Sequence, residues 1–251
     1  MKRIASIIFL FFWVPAVSMA QNGGLVEAGK AALAAATLTN SQVASYSKQA
    51  VQQMDAKYPI AGPGDPYTQR LNRIVSRHRT VGGIPINYKV YKTRDVNAFA
   101  TADGSVRVFQ GLMDIMTDQE ILAVIGHEIG HVVNKDSHDA MKSALWRTAG
   151  INALASTSGA VGRLSRSQLS GVADYLLGAK HSRDQETEAD DYSYQFLKRN
   201  GYSVIPLATS FEKLAKQGGG GQVPQFLSTH PNSQARAARI RSRARSEGLG
   251  R

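Results

Sequence analysis

His127-Glu128-Ile129-Gly130-His131 places two imidazoles and one carboxylate within a single turn and a half of chain. On a helix, side chains four apart project to the same side, so both histidines can hold one Zn²⁺. Glu128, next to the first histidine, can then reach a water on the metal and act as general base. The chemistry this predicts is hydrolysis, with the pattern of a zinc-dependent peptidase. So short a pattern also arises by chance, so the surrounding sequence must support it.

A catalytic zinc site takes three protein ligands and keeps one position for water. A metzincin would continue with a glycine and a third histidine, but Asn134 and Ser137 occupy those places. A thermolysin-like enzyme would supply a glutamate shortly downstream, yet no glutamate occurs between Glu128 and Glu186. Glu186-Thr187-Glu188-Ala189-Asp190 lies in a second helical stretch that runs to Asn200 and stops at Gly201, a suitable C′ residue. Glu186 and Asp190 share a helix face. One can bind the metal while the other orients a ligand histidine through its free ring nitrogen. Glu188 falls about 200° round the helix from Glu186 and is the weaker candidate.

The elements that must hold these groups are legible around them. Thr117-Asp118-Gln119-Glu120 has the form of a capping box and starts the first metal helix. Ile121, Leu122, Val124, Ile125, Ile129, Val132 and Val133 make that helix apolar on nearly every side, as buried helices are. Gly126 and Gly130 each cost it about 0.8–1 kcal/mol relative to alanine, which is explained if another backbone or a substrate passes close.

His127-Glu128-x-x-His131 followed by Glu186-x-x-x-Asp190 resembles the HtpX/BepA/LoiP-type zinc metallopeptidases. The likeness extends to Asn87–Tyr91, Asp95–Ala100, Gly111–Asp114, Val124–His127, Glu188–Tyr194, Leu207–Lys216 and His230-Pro231. It implies His127, His131 and Glu186 as ligands to one Zn²⁺ per chain, Glu128 as general base and Asp190 behind a ligand. The chain departs from the family in two ways. It has no cysteine, so neither a lipid-attachment cysteine nor a disulfide is available, and Asp136 stands where relatives often carry a histidine.

The expected fold is α+β: one mostly helical, zincin-like domain with a small sheet or hairpin beside the active-site helix. Ser41 can cap a helix carrying Val43, Tyr46, Ala50 and Met54, and Asp65-Pro66 starts another with Leu71, Ile74, Val75 and His78 at helical spacing. Ile86, Tyr88 and Val90 alternate as a strand, and residues 97–101 and 105–109 flank Asp103-Gly104 as a hairpin. An edge strand there could pair with an extended substrate by β-augmentation. Ser156 to Gly171 reads as a crossing or lid, and Gly218 to Gly221 as a loop leading to His230. His230 is a catalytic candidate, either stabilising the oxyanion or filling the open metal position in a latent form; Arg236 could share the first role. His138 and His181 lack partners at ligand spacing.

Lys2 and Arg3 precede an apolar run from Ile4 to Val17, and Ser18-Met19-Ala20 offers a cleavage site. Residues 1–20 are therefore expected to be a cleaved secretory signal peptide and 21–251 a single domain in a bacterial periplasm, with outer-membrane association a further expectation. Formal net charge is +11, with six arginines from Arg236 to Arg251 forming a basic C-terminal tail. Such a tail suits contact with anionic envelope lipids; a nucleic-acid role lacks any recognition motif. The expected substrates are unfolded or misfolded envelope polypeptides, a quality-control role. Two rival classes are a non-hydrolytic chaperone or assembly factor using the same groove, and a basic surface-binding module.

Overall fold

The computed structural model describes residues 38–148, 164–217 and 223–250. The expected signal peptide, residues 156–163 of the expected crossing and the glycine run 218–221 lie outside them. Helix α1 (Asn40–Lys57) buries Val43, Tyr46, Ala50 and Met54. Its cap is Thr39 rather than Ser41: the Thr39 hydroxyl accepts from the Gln42 N–H, and Gln42 accepts from the Thr39 N–H at 2.9 Å. Helix α2 (Pro66–Ile74) starts at Asp65, as its Asp-Pro pair predicts, but stops at Val75. His78 is thus not on a helix face. It is buried in the following connection, its ring edge-on to Phe196 at 4.7 Å and its Nε2 3.1 Å from the Tyr202 hydroxyl.

A two-residue turn through Gly82 and Gly83, both at positive φ, joins strands β1 (Thr80–Val81) and β2 (Ile84–Pro85). Gly-Gly is a hairpin signal that the sequence reading passed over. The main sheet holds β3 (Asn87–Tyr91), β4 (Ala98–Ala100) and β5 (Ser105–Phe109) in the order β3-β5-β4. β5 is central and buried throughout, parallel to β3 and antiparallel to β4. The expected hairpin is therefore β4 and β5, turned at Gly104 with φ +83°; a Cβ there would lie 2.3 Å from the Pro85 carbonyl oxygen. Arg107, on the central strand, is buried because Asp55 of α1 meets its guanidinium at 2.8 and 3.1 Å.

Helices α3 (Gln110–Ile115) and α4 (Asp118–Val133) follow the sheet. α4 begins with the capping box of Thr117 and Glu120, and Glu120 also accepts from Thr209 at 2.7 Å and Lys213 at 2.6 Å. Beyond α4 come α5 (Asp136–Thr148), α6 (Arg166–Gly178), α7 (Arg183–Arg199), α8 (Ile205–Gln217), α9 (Gln225–Thr229) and α10 (Ser233–Ser246). α4 is the buried axis of the domain, packed against α7, α8 and strand β4. The fold is the expected α+β, mostly helical with small sheets. The arginine-rich C-terminus is helix α10 rather than a free tail. Arg239 pairs with Asp191, Arg241 with Glu212, and Arg243 with Asp191 and Glu247.

Candidate metal centre

The glycines of α4 allow its close contact with α7. A Cβ on Gly126 would fall 2.8 Å from the Ser193 hydroxyl oxygen, and one on Gly130 would fall 2.9 Å from the Ala189 Cα. With no side chain between them, the histidine face of α4 meets the first turns of α7, where Glu186 and Asp190 sit one turn apart.

Four buried donors converge there: His127, His131, Glu186 and His230. His127 Nε2 lies 3.1 Å from His131 Nε2 and 3.3 Å from His230 Nδ1, and His230 Nδ1 lies 2.8 Å from Glu186 Oε1. His131 Nε2 is 3.6 Å from the same carboxylate oxygen. A tetrahedron with metal–ligand bonds of about 2.0–2.1 Å has edges of about 3.3–3.4 Å, so these separations fit one Zn²⁺. Burial, and next the charge of neighbouring groups, pushes His131 and His230 down to about 3, so both stay neutral, as ligands must. Burial raises Glu186, against the pull of Arg236 and the histidines.

Glu128 lies between that cluster and the sheet edge. It is buried, accepts from the Ala100 backbone N–H, and one of its oxygens, Oε1, has no hydrogen-bond partner. His230 Nε2 is 3.5 Å from that oxygen, so the His230 ring stands between the general-base candidate and the donor set. Burial and then the charge of Glu186 push Glu128 well above the ordinary carboxylate range. An unsatisfied carboxylate oxygen beside four metal donors is the place where a hydrolytic water belongs.

Asp190 lies behind the donors. Its Oδ1 is 3.0 Å from His127 Nδ1, and Arg236 of α10 grips it through Nη2 at 2.6 Å and Nε at 3.0 Å. Arg236 also pairs with Glu186 and lies over the Phe211 ring at 4.0 Å. Behind His131 stands Asp136, with Oδ2 at 2.8 Å from Nδ1. His181 stacks on the His131 ring at 3.8 Å. All six predicted site residues therefore meet in one place, whereas Asp136 and His181, set aside on sequence grounds, join them through the fold. His138, also set aside, is in neither group of metal-capable donors found among the described residues.

The cleft over the site is narrow. Residues 97–101 of the sheet edge, Glu128, His131 and His230 line it, together with Leu176, Leu177, Ala179 and His181. It encloses about 40 Å³, room for a few waters and not for a peptide. Phe109 N–H donates to the Asn97 carbonyl and Thr101 N–H to that of Ser105, so antiparallel alternation turns Ala98 and Ala100 toward this cleft. The Ala100 carbonyl accepts from the Ser137 hydroxyl at 3.1 Å.

Comparison with known proteins agrees with this geometry. The sequence model for "Peptidase family M48" matches residues 67–244. The chain is 46% identical to Metalloprotease LoiP of Escherichia coli (strain K12) over 229 residues, 91% of this chain and 90% of that one. It is 43% identical to Metalloprotease YcaL of the same organism over 219 residues, 87% of this chain and 86% of the relative. The Beta-barrel assembly-enhancing protease of E. coli is 29% identical over 227 residues, 84% of this chain and 45% of that longer protein.

Proposed function

The chain belongs to peptidase family M48, and on that footing we propose that it is a zinc-dependent endopeptidase of the bacterial cell envelope that cuts unfolded or misfolded polypeptides. The observation that carries the reading is the buried donor set of His127, His131, Glu186 and His230 beside the unsatisfied oxygen of Glu128.

Zinc, when bound, supplies a Lewis acid that polarises the scissile carbonyl and makes water acidic enough to attack at neutral pH. Glu128 takes the proton released and passes it to the leaving amine, a transfer that suits a carboxylate held by burial above the ordinary carboxylate range. Asp190 and Arg236 hold His127 and Glu186 in place from behind. The edge of β4 faces the cleft at Ala98 and Ala100, and an extended substrate would pair there once the bonds of Ala98 N–H to Asn97, Ala100 N–H to Glu128 and the Ala100 carbonyl to Ser137 open. Such pairing reads main chain rather than sequence. That supports unfolded polypeptides as substrates. The basic, apolar leader supports the periplasm, and among the described residues no helix is long and apolar enough to cross a membrane. Contact with anionic envelope lipids would fall to helix α10, whose Arg236, Arg239, Arg241 and Arg243 are also paired with carboxylates of the fold.

In the resting form, His230 fills the fourth donor position and the cleft is shut, so the enzyme is latent until this segment moves. The test is to incubate the zinc-loaded protein and its Glu128→Gln variant with casein and follow fragments. Cleavage by the wild type alone supports the reading. Zinc binding and casein binding without cleavage by either would leave the latent form or a non-hydrolytic chaperone, and cleavage by His230→Ala would separate them.

A further inference from the structure

We propose that Asp136 is a positioning residue for the metal ligand His131. It accepts the Nδ1 proton, fixes the tautomer that presents Nε2 to the metal, and makes that nitrogen a stronger donor. The inference rests on the metallopeptidase reading above and adds a residue that the metal motif does not contain.

The placement is built, not incidental. Asp136 Oδ2 lies 2.8 Å from His131 Nδ1, and the carboxylate is buried. The chain brings it there by reversing sharply after α4. Asn134 closes the helix, and Lys135 takes φ +70°, a left-handed conformation unfavourable for any residue with a Cβ. The reversal starts α5 directly beneath the ligand histidine. Neighbouring elements secure it: the Gln185 side chain of α7 hydrogen-bonds to Asp136, and the adjacent Ser137 hydroxyl donates to the Ala100 carbonyl of β4. His181 stacks on a face of the His131 ring at 3.8 Å.

The arrangement mirrors the other ligand histidine. His127 has Asp190 at its Nδ1, and His131 has Asp136 at its own, so each imidazole facing the metal is backed by a carboxylate. The donor atoms of His131, Asp136 and His181 also lie within 4.8 Å of one another, a spacing that admits a second cation. The 2.8 Å separation of His131 Nδ1 from Asp136 Oδ2 is a hydrogen-bond distance, and Nδ1 cannot both donate to Asp136 and coordinate an ion, so counting the bound ions separates the two.

The test measures Zn²⁺ affinity and stoichiometry of the full chain by competition with a chromophoric chelator, for the wild type, Asp136→Asn and Asp136→Ala. The near-isosteric asparagine guards against a folding defect, and melting of the metal-free proteins is measured alongside. The expected result is one Zn²⁺ per wild-type chain and affinity lower by about 10–100-fold in Asp136→Ala, with Asp136→Asn between the two. Metal-free melting should change far less than the metal-induced gain. Unchanged affinity in both variants overturns the proposal, as does a loss confined to metal-free stability. Two ions in the wild type, with one lost in Asp136→Ala, would make the group a second cation site instead. A wild type that binds no Zn²⁺ overturns the metallopeptidase reading itself.

Discussion

Gly130 of α4 and Ala189 of α7 pack so closely that a Cβ on the glycine would sit 2.9 Å from the alanine Cα and 3.0 Å from its carbonyl oxygen. Ala189 lies between Glu186 and Asp190, so this one contact sets how deeply both acidic groups reach toward the histidines of α4. Gly130→Ala improves helix propensity but must push α7 outward. The expected net effect is destabilisation by about 1–3 kcal/mol, as overpacking costs, together with weaker zinc binding. Urea unfolding and chelator competition on the same variant check both halves.

His230 shares the donor cluster and contacts the carboxylate of Glu128. If it holds a resting form, and the open form is populated at about 10%, His230→Ala raises casein cleavage about tenfold. A residue acting only on the transition-state oxyanion would instead lower the rate by about 10²–10³-fold. Initial rates with fluorescein-labelled casein at saturating zinc distinguish the two.

Asp190 serves His127 and Arg236 at once. Asp190→Ala leaves a buried guanidinium with less compensation, and breaking a buried pair in this way costs about 3–5 kcal/mol. Asp190→Ala with Arg236→Met should recover part of that stability, because the uncompensated charge is gone, but not the zinc affinity. Thermal melting and metal titration of the double variant check this separation.

Asp55 supplies the acid-dependent prediction away from the metal. Burial pushes its carboxyl up, but hydrogen bonds from Arg107, Lys89 and Tyr91 outweigh that and hold it below the ordinary range. A depressed carboxyl contributes stability that is fully present above its unfolded value, about 3.9, and is lost as pH falls through the lower folded value. Asp55→Asn should therefore destabilise the protein by about 3–5 kcal/mol at pH 7, where it strands the buried Arg107. The gap between variant and wild type should narrow as pH drops below about 4. Urea midpoints at pH 7 and at acid pH give the comparison.

Much of the centre was legible because helical spacing is local. His127 and His131 needed only their separation of four. Spacing put Glu186 and Asp190 on one face, and the family resemblance said which of them binds metal. The glycines of α4 announced close approach of a backbone or a substrate, and α7 is that backbone. Asp136 escaped because its role depends on a left-handed residue, Lys135, that nothing in the local sequence demands. His181 escaped because ring stacking across elements leaves no spacing signal. Arg236 was named beside His230 as an oxyanion candidate but was also counted with the tail arginines, although Ala237, Ile240 and Ala244 give α10 an apolar stripe beside it. That stripe was the available clue that the segment folds inward. The helix boundaries failed by small amounts, as at Thr39 for Ser41, where two hydroxyl residues compete for one cap.

Arg236 contacts His127 across 109 residues, and His230 closes the donor set across 103. Helix α4 alone therefore cannot form the centre while the chain is being synthesised. The histidine pair emerges first and waits for α7, then for α9 and α10. A peptidase assembled in that order has no complete centre until α10 has joined the fold, so a chain cut short before Arg236 carries the histidine pair without the groups that hold it.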